Sequence, residues 1–137
     1  MRPRKKVLLH CQNEQVASVY RFMIDNCRSR EIMSVGFRAY LVSSTVAGDA
    51  MANLYQFDSV LVIRCGEGKG SVEAANHYYR LGMKVVFLNH HPSRVDEGDV
   101  RANFFFGYAA KTEELMERLR IICQRKRGPK KLEAVFA

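Results

Sequence analysis

At 137 residues, with 47% hydrophobic and 26% charged residues, the chain has the composition of one globular domain. Its longest apolar runs fall far short of the roughly 20 residues that cross a membrane, and its basic N-terminus soon turns polar, unlike a secretory signal peptide. Four well-separated cysteines without a CxxC pair argue against a disulfide scaffold. We therefore expect a cytoplasmic protein without a membrane span.

The net charge of +8 is concentrated at the two ends of the chain. Residues 1–6 carry four basic side chains and residues 124–131 carry five, whereas residues 7–123 contain 13 basic and 13 acidic ones. We predict a folded domain over residues 1–126 and a basic tail or linker over residues 127–137. Only this tail is expected to contact nucleic acid, through its charge. The alternatives are a solubilising linker or the start of a further domain.

Five apolar, β-rich segments recur at even intervals and predict five strands, over residues 6–11, 37–43, 59–64, 84–89 and 103–108. Three of them are almost continuously apolar, which is typical of strands covered on both faces. Between the strands, periodic apolar residues predict helices over residues 14–28, 46–56, 72–82 and 113–126. This alternation indicates an α/β fold with a doubly wound, five-stranded parallel sheet. Ligands of such folds bind at the carboxyl ends of the strands.

The helical segments carry signals for their buried faces and their ends. The predicted buried faces are Val16, Val19, Tyr20, Met23, Ile24 and Cys27 in the first helix, Val46, Ala50, Leu54 and Phe57 in the second, and Leu115, Leu119, Ile122 and Cys123 in the last. Ser71 and Thr112 are predicted N-caps, and Gly82 a C-terminal glycine. Ser93 and Asp96 resemble a capping box, which admits a short helix over residues 94–101.

A glycine-rich turn, RCGEGKGSVE, follows the third predicted strand. It matches neither the P-loop nor the dinucleotide fingerprint, because the glycine spacing fails and Lys69 is followed by glycine rather than by Ser or Thr. An anion could still meet free backbone amides ahead of the next helix. Gly66, Gly68, Gly70 and Ser71 are therefore kept as an alternative anion or nucleotide loop.

The segment FFFGYAAKTEELMERLRII resembles the last strand, loop and helix of a response-regulator receiver domain of two-component signalling. Tyr108 and Lys111 match the aromatic residue and the lysine of that family, with Thr112 in place of its usual proline. Asn89 falls where the family has the Thr or Ser that senses phosphorylation. The resemblance implies a flavodoxin-like three-layer sandwich that acts in signal transduction and is not an enzyme.

The residues that the family uses for chemistry are missing. Cys11 and Gln12 occupy the positions of the two acidic residues that hold magnesium, and the phosphoacceptor aspartate falls at Ile63 or Arg64. Neither can accept a phosphoryl group, and Asn89 lacks the hydroxyl. If Arg64 occupies the acceptor position, its guanidinium is expected to reach the phosphate pocket, with partners among Glu67 and Asn89. The alternative is an Arg64 that points to solvent.

The resemblance also suggests how such a domain would act, as a pseudo-receiver that docks proteins or dimerises without phosphorylation. The family's signalling face combines its fourth helix, fifth strand and fifth helix. Here that face would offer Tyr108, Phe106, Glu117 and Arg118, while Lys111 either pairs with Glu14 or extends into solvent. We expect no cofactor.

A thiol or metal sensor on the same fold is a further alternative. In a receiver-like sheet the first and third strands are neighbours, so Cys11 and Cys65 would end close together, with His10, His90 and His91 on adjacent strand ends. Zinc needs about four Cys or His ligands, and a redox thiol needs exposure and nearby cations. His10 alternates to the opposite face from Cys11. We therefore predict no metal site and leave a redox pair open.

Overall fold

The structure, a computed structural model, describes residues 4–27 and 36–124. The five strands are β1 (Lys5–Cys11), β2 (Phe37–Val42), β3 (Ser59–Arg64), β4 (Val85–Asn89) and β5 (Phe104–Phe106). The four helices are α1 (Glu14–Asn26), α2 (Thr45–Leu54), α3 (Gly70–Arg80) and α4 (Thr112–Gln124). Each strand lies within two residues of its predicted limits. The described region ends before residue 126, so the predicted boundary there and the basic tail lie outside it.

All five strands form one parallel sheet in the order β2-β1-β3-β4-β5. The predicted α/β architecture, a flavodoxin-like sandwich with helices on both faces of the sheet, is therefore correct. Cys11 pairs in register with Ile63, and Arg64 pairs with Asn89. The order and register bring the carboxyl ends of β1, β3 and β4 side by side.

Alternate residues of the central strands build two cores, one on each face of the sheet. The first core packs strand residues such as Leu9 and Leu61 against α1 and α4. The second packs Val62 and Phe87 against residues of α3. Because β3 and β4 are buried along their whole length, their sequences are nearly continuously apolar.

The predicted buried face of α4 is confirmed, since Leu115, Leu119, Ile122 and Cys123 are all buried. In α1, Tyr20 and Ile24 are buried but Val19 is exposed, and Ala17 packs into the core instead.

The predicted buried face of α2 is wrong, because Val46 is 80% exposed and Leu54 is 74% exposed, and Ala50 is exposed as well. The helix turns Gly48 inward against the ring of Tyr78, and this contact rotates the longer apolar side chains outward. Phe57, just beyond α2, is buried as predicted.

The segment between β4 and β5 contains no α-helix. A single 3₁₀ turn spans Glu97–Asp99, and the side chain of Asp96 accepts a hydrogen bond from the backbone N–H of Gly98. The short helix considered over residues 94–101 is thus reduced to this three-residue turn, and four α-helices cover the sheet among the described residues. Ser93 does not cap this turn, because its hydroxyl accepts from Arg64.

Of the three predicted capping residues, Gly82 is confirmed, whereas Ser71 and Thr112 are not N-caps. The Gly82 backbone has φ +85°, the left-handed conformation that favours glycine after a helix, as predicted. Ser71 is not an N-cap: α3 begins at Gly70, and the Ser71 hydroxyl donates to the carbonyl of Ile63. Thr112 is the first residue of α4, one position before the predicted start. Within the described residues, no helix combines the length and apolar character needed to span a membrane.

Candidate functional site

The guanidinium of Arg64 lies folded across the carboxyl edge of the sheet. Its side chain leaves the last position of β3, and the residue is only 5% exposed. Nη1 donates to Oδ1 of Asn89 over 2.9 Å and to the carbonyl of Ser93 over 3.0 Å. Nη2 donates to Oγ of Ser93 over 2.9 Å and to the carbonyl of Glu67 over 3.3 Å. The alternative of an arginine that points to solvent is wrong.

All four acceptors of this buried cation are neutral. Of the expected partners, Asn89 contributes its side chain, whereas Glu67 contributes its backbone carbonyl and not its carboxylate. Within residues 4–27 and 36–124, no carboxylate forms an ion pair with Arg64. Burying an uncompensated charge is costly, so these hydrogen bonds are what makes the position tolerable.

Asn89 connects the cation to the loop that follows β4. It is 1% exposed, and besides accepting from Arg64 its Oδ1 accepts from the backbone N–H of His91 over 3.2 Å. Its Nδ2 donates to the carbonyl of Ser93 over 2.9 Å and to that of Gly107 over 3.4 Å. We define the Arg64 cluster as Arg64, Asn89 and Ser93. Through the Asn89 side chain, this cluster connects the end of β4 to the residue that follows β5.

The end of β1 places a thiol beside the next strand. Cys11 is 3% exposed, and its Sγ lies 3.1 Å from Sγ of Cys65. Burial, together with the hydrogen bond to Cys65, raises the pKa of the Cys11 thiol to about 12. Gln12 is exposed, and its amide nitrogen approaches the start of α3 at Gly70.

The two remaining candidates of this edge lie apart from the cluster. Ile63 is 1% exposed in the core beneath α1 and α4, so of the two positions considered for an acceptor only Arg64 reaches the edge with its functional group. Lys111 is exposed, and its backbone N–H donates to Glu114 at the start of α4. Among the described residues no ion pair joins Lys111 to Glu14.

The glycine-rich turn is an exposed loop between β3 and α3. A Cβ added at Gly66 or Gly68 would meet nothing within 4 Å, and neither residue has a positive φ. Their backbone conformation therefore does not require glycine. Ser71 is buried against the sheet and does not face the loop. An anion site at Gly66, Gly68 and Gly70 remains a prediction, and the Ser71 hydroxyl is not part of it because it donates to the carbonyl of Ile63.

The histidines are divided between the two sides of the sheet, as the alternation predicts for His10 and Cys11. His10 is buried, and its Nδ1 lies 2.9 Å from the hydroxyl of Tyr78 in a hydrogen bond. Burial lowers the pKa of His10 to about 4. On the other side, Nδ1 of His90 is hydrogen-bonded to the hydroxyl of Tyr20 at 3.1 Å. In the described part of the chain, no three His, Cys, Asp or Glu side chains are placed to hold a metal ion.

The surface beside β5 mixes core and exposed aromatic residues. Phe106 is 4% exposed and belongs to the core, so its predicted place in an interface is wrong. Tyr108 is 52% exposed, with its ring stacked on Phe106 at 6.1 Å between centroids. On α4, the Arg118 guanidinium lies 4.0 Å from the ring centroid of Phe104, and Glu117 is exposed and paired with Arg120. Tyr108, Glu117 and Arg118 form what we call the strand-five face.

Ser93 and Tyr20 were not identified as site residues from the sequence. Ser93 lies in a loop with no periodic pattern, and its resemblance to a capping residue gave no indication that it would bind Arg64. The helical spacing of α1 predicts a core position for Tyr20, which is buried, but it gives no sign that the Tyr20 hydroxyl is hydrogen-bonded to His90.

Comparisons with known proteins identify the fold. No family model and no curated protein matches the chain. Among solved structures, the N-terminal domain of a response regulator/sensory box/GGDEF protein from Carboxydothermus hydrogenoformans is 19% identical with a TM-score of 0.67, covering 88% of this chain and 94% of that one.

Two further solved structures of response regulators share the same fold. The receiver domain of a Francisella response regulator is 12% identical with a TM-score of 0.68, covering 89% of this chain and 98% of that one. An orphan response regulator of H. pylori is 16% identical with a TM-score of 0.65, covering 89% and 100%. Residues 4–27 and 36–124 therefore have the fold of response-regulator receiver domains.

Proposed function

We propose that the chain is a pseudo-receiver, a signalling domain of receiver fold that acts by protein–protein contact without an aspartyl-phosphate cycle. The observation that carries the proposal is the Arg64 guanidinium, buried at the carboxyl edge of β3 and bonded only to neutral acceptors. A receiver carries its phosphoacceptor at this edge. A fixed cation with four hydrogen-bond acceptors at this edge supports a single locked arrangement that does not depend on phosphorylation.

The donor set at this edge does not suit magnesium. Mg²⁺ prefers an octahedron of oxygen ligands that usually includes carboxylates. Here the end of β1 offers a thiol at Cys11 and an amide at Gln12, and the end of β3 offers the cation of Arg64. The residues at this edge therefore do not fit a bound magnesium ion.

The loop after β4 supports a fixed state rather than a switching one. In a receiver, the residue at the position of Asn89 responds to phosphate by moving its hydroxyl. Asn89 instead holds Arg64, His91 and Gly107 together at once, and it is almost fully buried. Breaking this set would leave several buried polar groups unpaired, so we expect one arrangement to persist.

The strand-five face is the surface that we propose for docking, with a second copy of the chain as the occupant to test first. Tyr108 offers an aromatic ring with half of its surface free and a polar hydroxyl, a combination enriched at protein interfaces. On α4, Arg118 lies over Phe104 and Glu117 pairs with Arg120, and a two-fold symmetric contact can pair these opposite charges between copies.

Sedimentation velocity over a range of concentrations tests this proposal, with and without magnesium and acetyl phosphate. We expect an association that the phosphodonor does not change, and intact-mass spectra without a phosphoryl adduct. Tyr108→Ser should weaken association by about tenfold, as expected for loss of an aromatic interface residue. Tyr79→Ser, which changes an exposed tyrosine on α3, is the matched control. A phosphoryl adduct, or association that appears only with the phosphodonor, would contradict the proposal.

A further inference from the structure

The two thiols at the carboxyl ends of β1 and β3 have no role in the proposed docking. Sγ of Cys11 and Sγ of Cys65 lie 3.1 Å apart, and a disulfide bond of about 2.05 Å needs them to approach by roughly 1 Å. Cys11 is the last residue of β1, and Cys65 directly follows β3, so neither sulfur sits inside a rigid ladder on both sides. We propose that Cys11 and Cys65 are a redox-active dithiol that is converted to a disulfide by low-molecular-weight disulfides such as oxidised glutathione.

The two thiols differ in solvent exposure, and the more exposed one, Cys65, is expected to react first. Cys65 is partly exposed, whereas Cys11 is almost completely buried. The Cys65 thiolate attacks one sulfur of glutathione disulfide, which releases one glutathione thiolate and leaves a mixed disulfide on Cys65. The Cys11 thiolate then attacks Sγ of Cys65, forms the intramolecular bond and releases the second glutathione. Two protein thiols are oxidised, and one glutathione disulfide is reduced to two thiols.

Proximity favours the second step. The attacking sulfur is already in contact with its target, so the reaction is intramolecular and needs no further encounter. Its rate depends on the small thiolate fraction of Cys11, because burial raises the pKa of that thiol to about 12. At pH values below that pKa, resolution of the mixed disulfide should therefore become about tenfold faster for each unit by which the pH is raised.

The disulfide between Cys11 and Cys65 would affect the Arg64 cluster through the backbone, because Cys65 directly follows Arg64. Cys65 is the neighbour of Arg64, and Cys11 donates to the carbonyl of Asn13, the N-cap of α1. A disulfide would join the end of β1 to the residue that follows Arg64, and it would remove the hydrogen that Cys11 donates to the Asn13 carbonyl. The proposal is independent of the docking function, because it rests only on the sulfur geometry.

The test is to incubate the full chain with oxidised glutathione and to follow intact mass and disulfide peptide maps. We expect the wild type to lose the mass of two hydrogens without retaining glutathione, and the map to join Cys11 to Cys65. Cys11→Ser should stop at a stable glutathione adduct on Cys65. Cys65→Ser, a change at a partly exposed position, should form no intramolecular bond. Cys123→Ser, which leaves both thiols in place, is the matched control.

Three results would overturn the proposal. They are a persistent glutathione adduct on Cys65 in the wild type, an unreacted Cys11–Cys65 pair, and a disulfide that maps to other cysteines. The wild-type map alone distinguishes these results, so the test holds even if Cys11→Ser does not fold.

Discussion

The guanidinium of Arg64 donates to Oδ1 of Asn89 over 2.9 Å, across two neighbouring strands that pair in register at those two residues. Parallel register brings the two side chains to one edge of the sheet, and the Ser93 loop closes over them. The edge that serves phosphate chemistry in receivers is here occupied by the protein's own cation.

Replacing Arg64 should destabilise the fold although it removes a buried charge. Arg64→Met leaves the acceptors on Asn89, Ser93 and Glu67 without their donor, and we expect a loss of about 2–4 kcal/mol in the free energy of unfolding. Urea unfolding measures it, with Arg94→Met, at an exposed arginine, as the control. An equal stability of Arg64→Met and wild type would mean that the cluster does not hold this edge together.

His10 should make the protein less stable in mild acid. Its pKa is lowered from 6.5 to about 4 by burial, so the unfolded chain takes up a proton at a higher pH than the folded one. The stability is complete above pH 6.5 and falls as the pH drops toward 4, by about 3 kcal/mol in all.

Urea unfolding at several pH values checks this, in the wild type and in His10→Gln. The variant should show a shallower decline in this range, because the buried imidazole is gone. A decline of equal slope in both proteins would assign the acid sensitivity to other groups.

Replacing Gly48 by alanine should destabilise the protein, whereas the same replacement at Gly66 in the glycine-rich turn should not. A Cβ at Gly48 would overlap the hydroxyl oxygen of Tyr78, so Gly48→Ala should cost about 1–3 kcal/mol despite the higher helix propensity of alanine. Gly66→Ala meets open space at an ordinary φ and should be neutral or stabilising by up to about 1 kcal/mol.

Thermal or urea unfolding of the two glycine variants gives the comparison. Tyr78→Phe, which removes the overlapping oxygen, should recover part of the loss in the double variant. A stabilising Gly48→Ala would show that α2 does not pack against Tyr78 as described.

Substitutions at Phe106 and at Tyr108 should differ in their effect on the free energy of unfolding. Phe106→Ala empties a buried core position and should cost about 3–5 kcal/mol, whereas Tyr108→Ala changes a half-exposed ring and should cost far less. Urea unfolding of both variants provides the values. A large loss for Tyr108→Ala would assign that residue to the core rather than to a docking surface.

The strands could be predicted from the sequence because each central strand is covered on both faces and therefore reads as a continuous apolar run. The neighbouring ends of Cys11 and Cys65, and of Arg64 and Asn89, followed from strand order in the family that the chain resembles.

The face of α2 could not be predicted in the same way. Val46 and Leu54 have helical spacing, but the contact that orients the helix is between Gly48 and Tyr78, which lie 30 positions apart in the sequence. Ser93 was missed as a site residue for a related reason. Its role depends on a loop that carries no periodic pattern and that folds back onto a distant arginine.

The most direct measurement of the central claim is an amide NMR titration of the isotope-labelled protein with magnesium and beryllofluoride. The account predicts unchanged signals for Cys11, Arg64, Asn89 and Ser93, because a fixed cation occupies the edge and its partners are already satisfied. Specific and saturable shifts at these residues would contradict it and would restore a phosphate-responsive site.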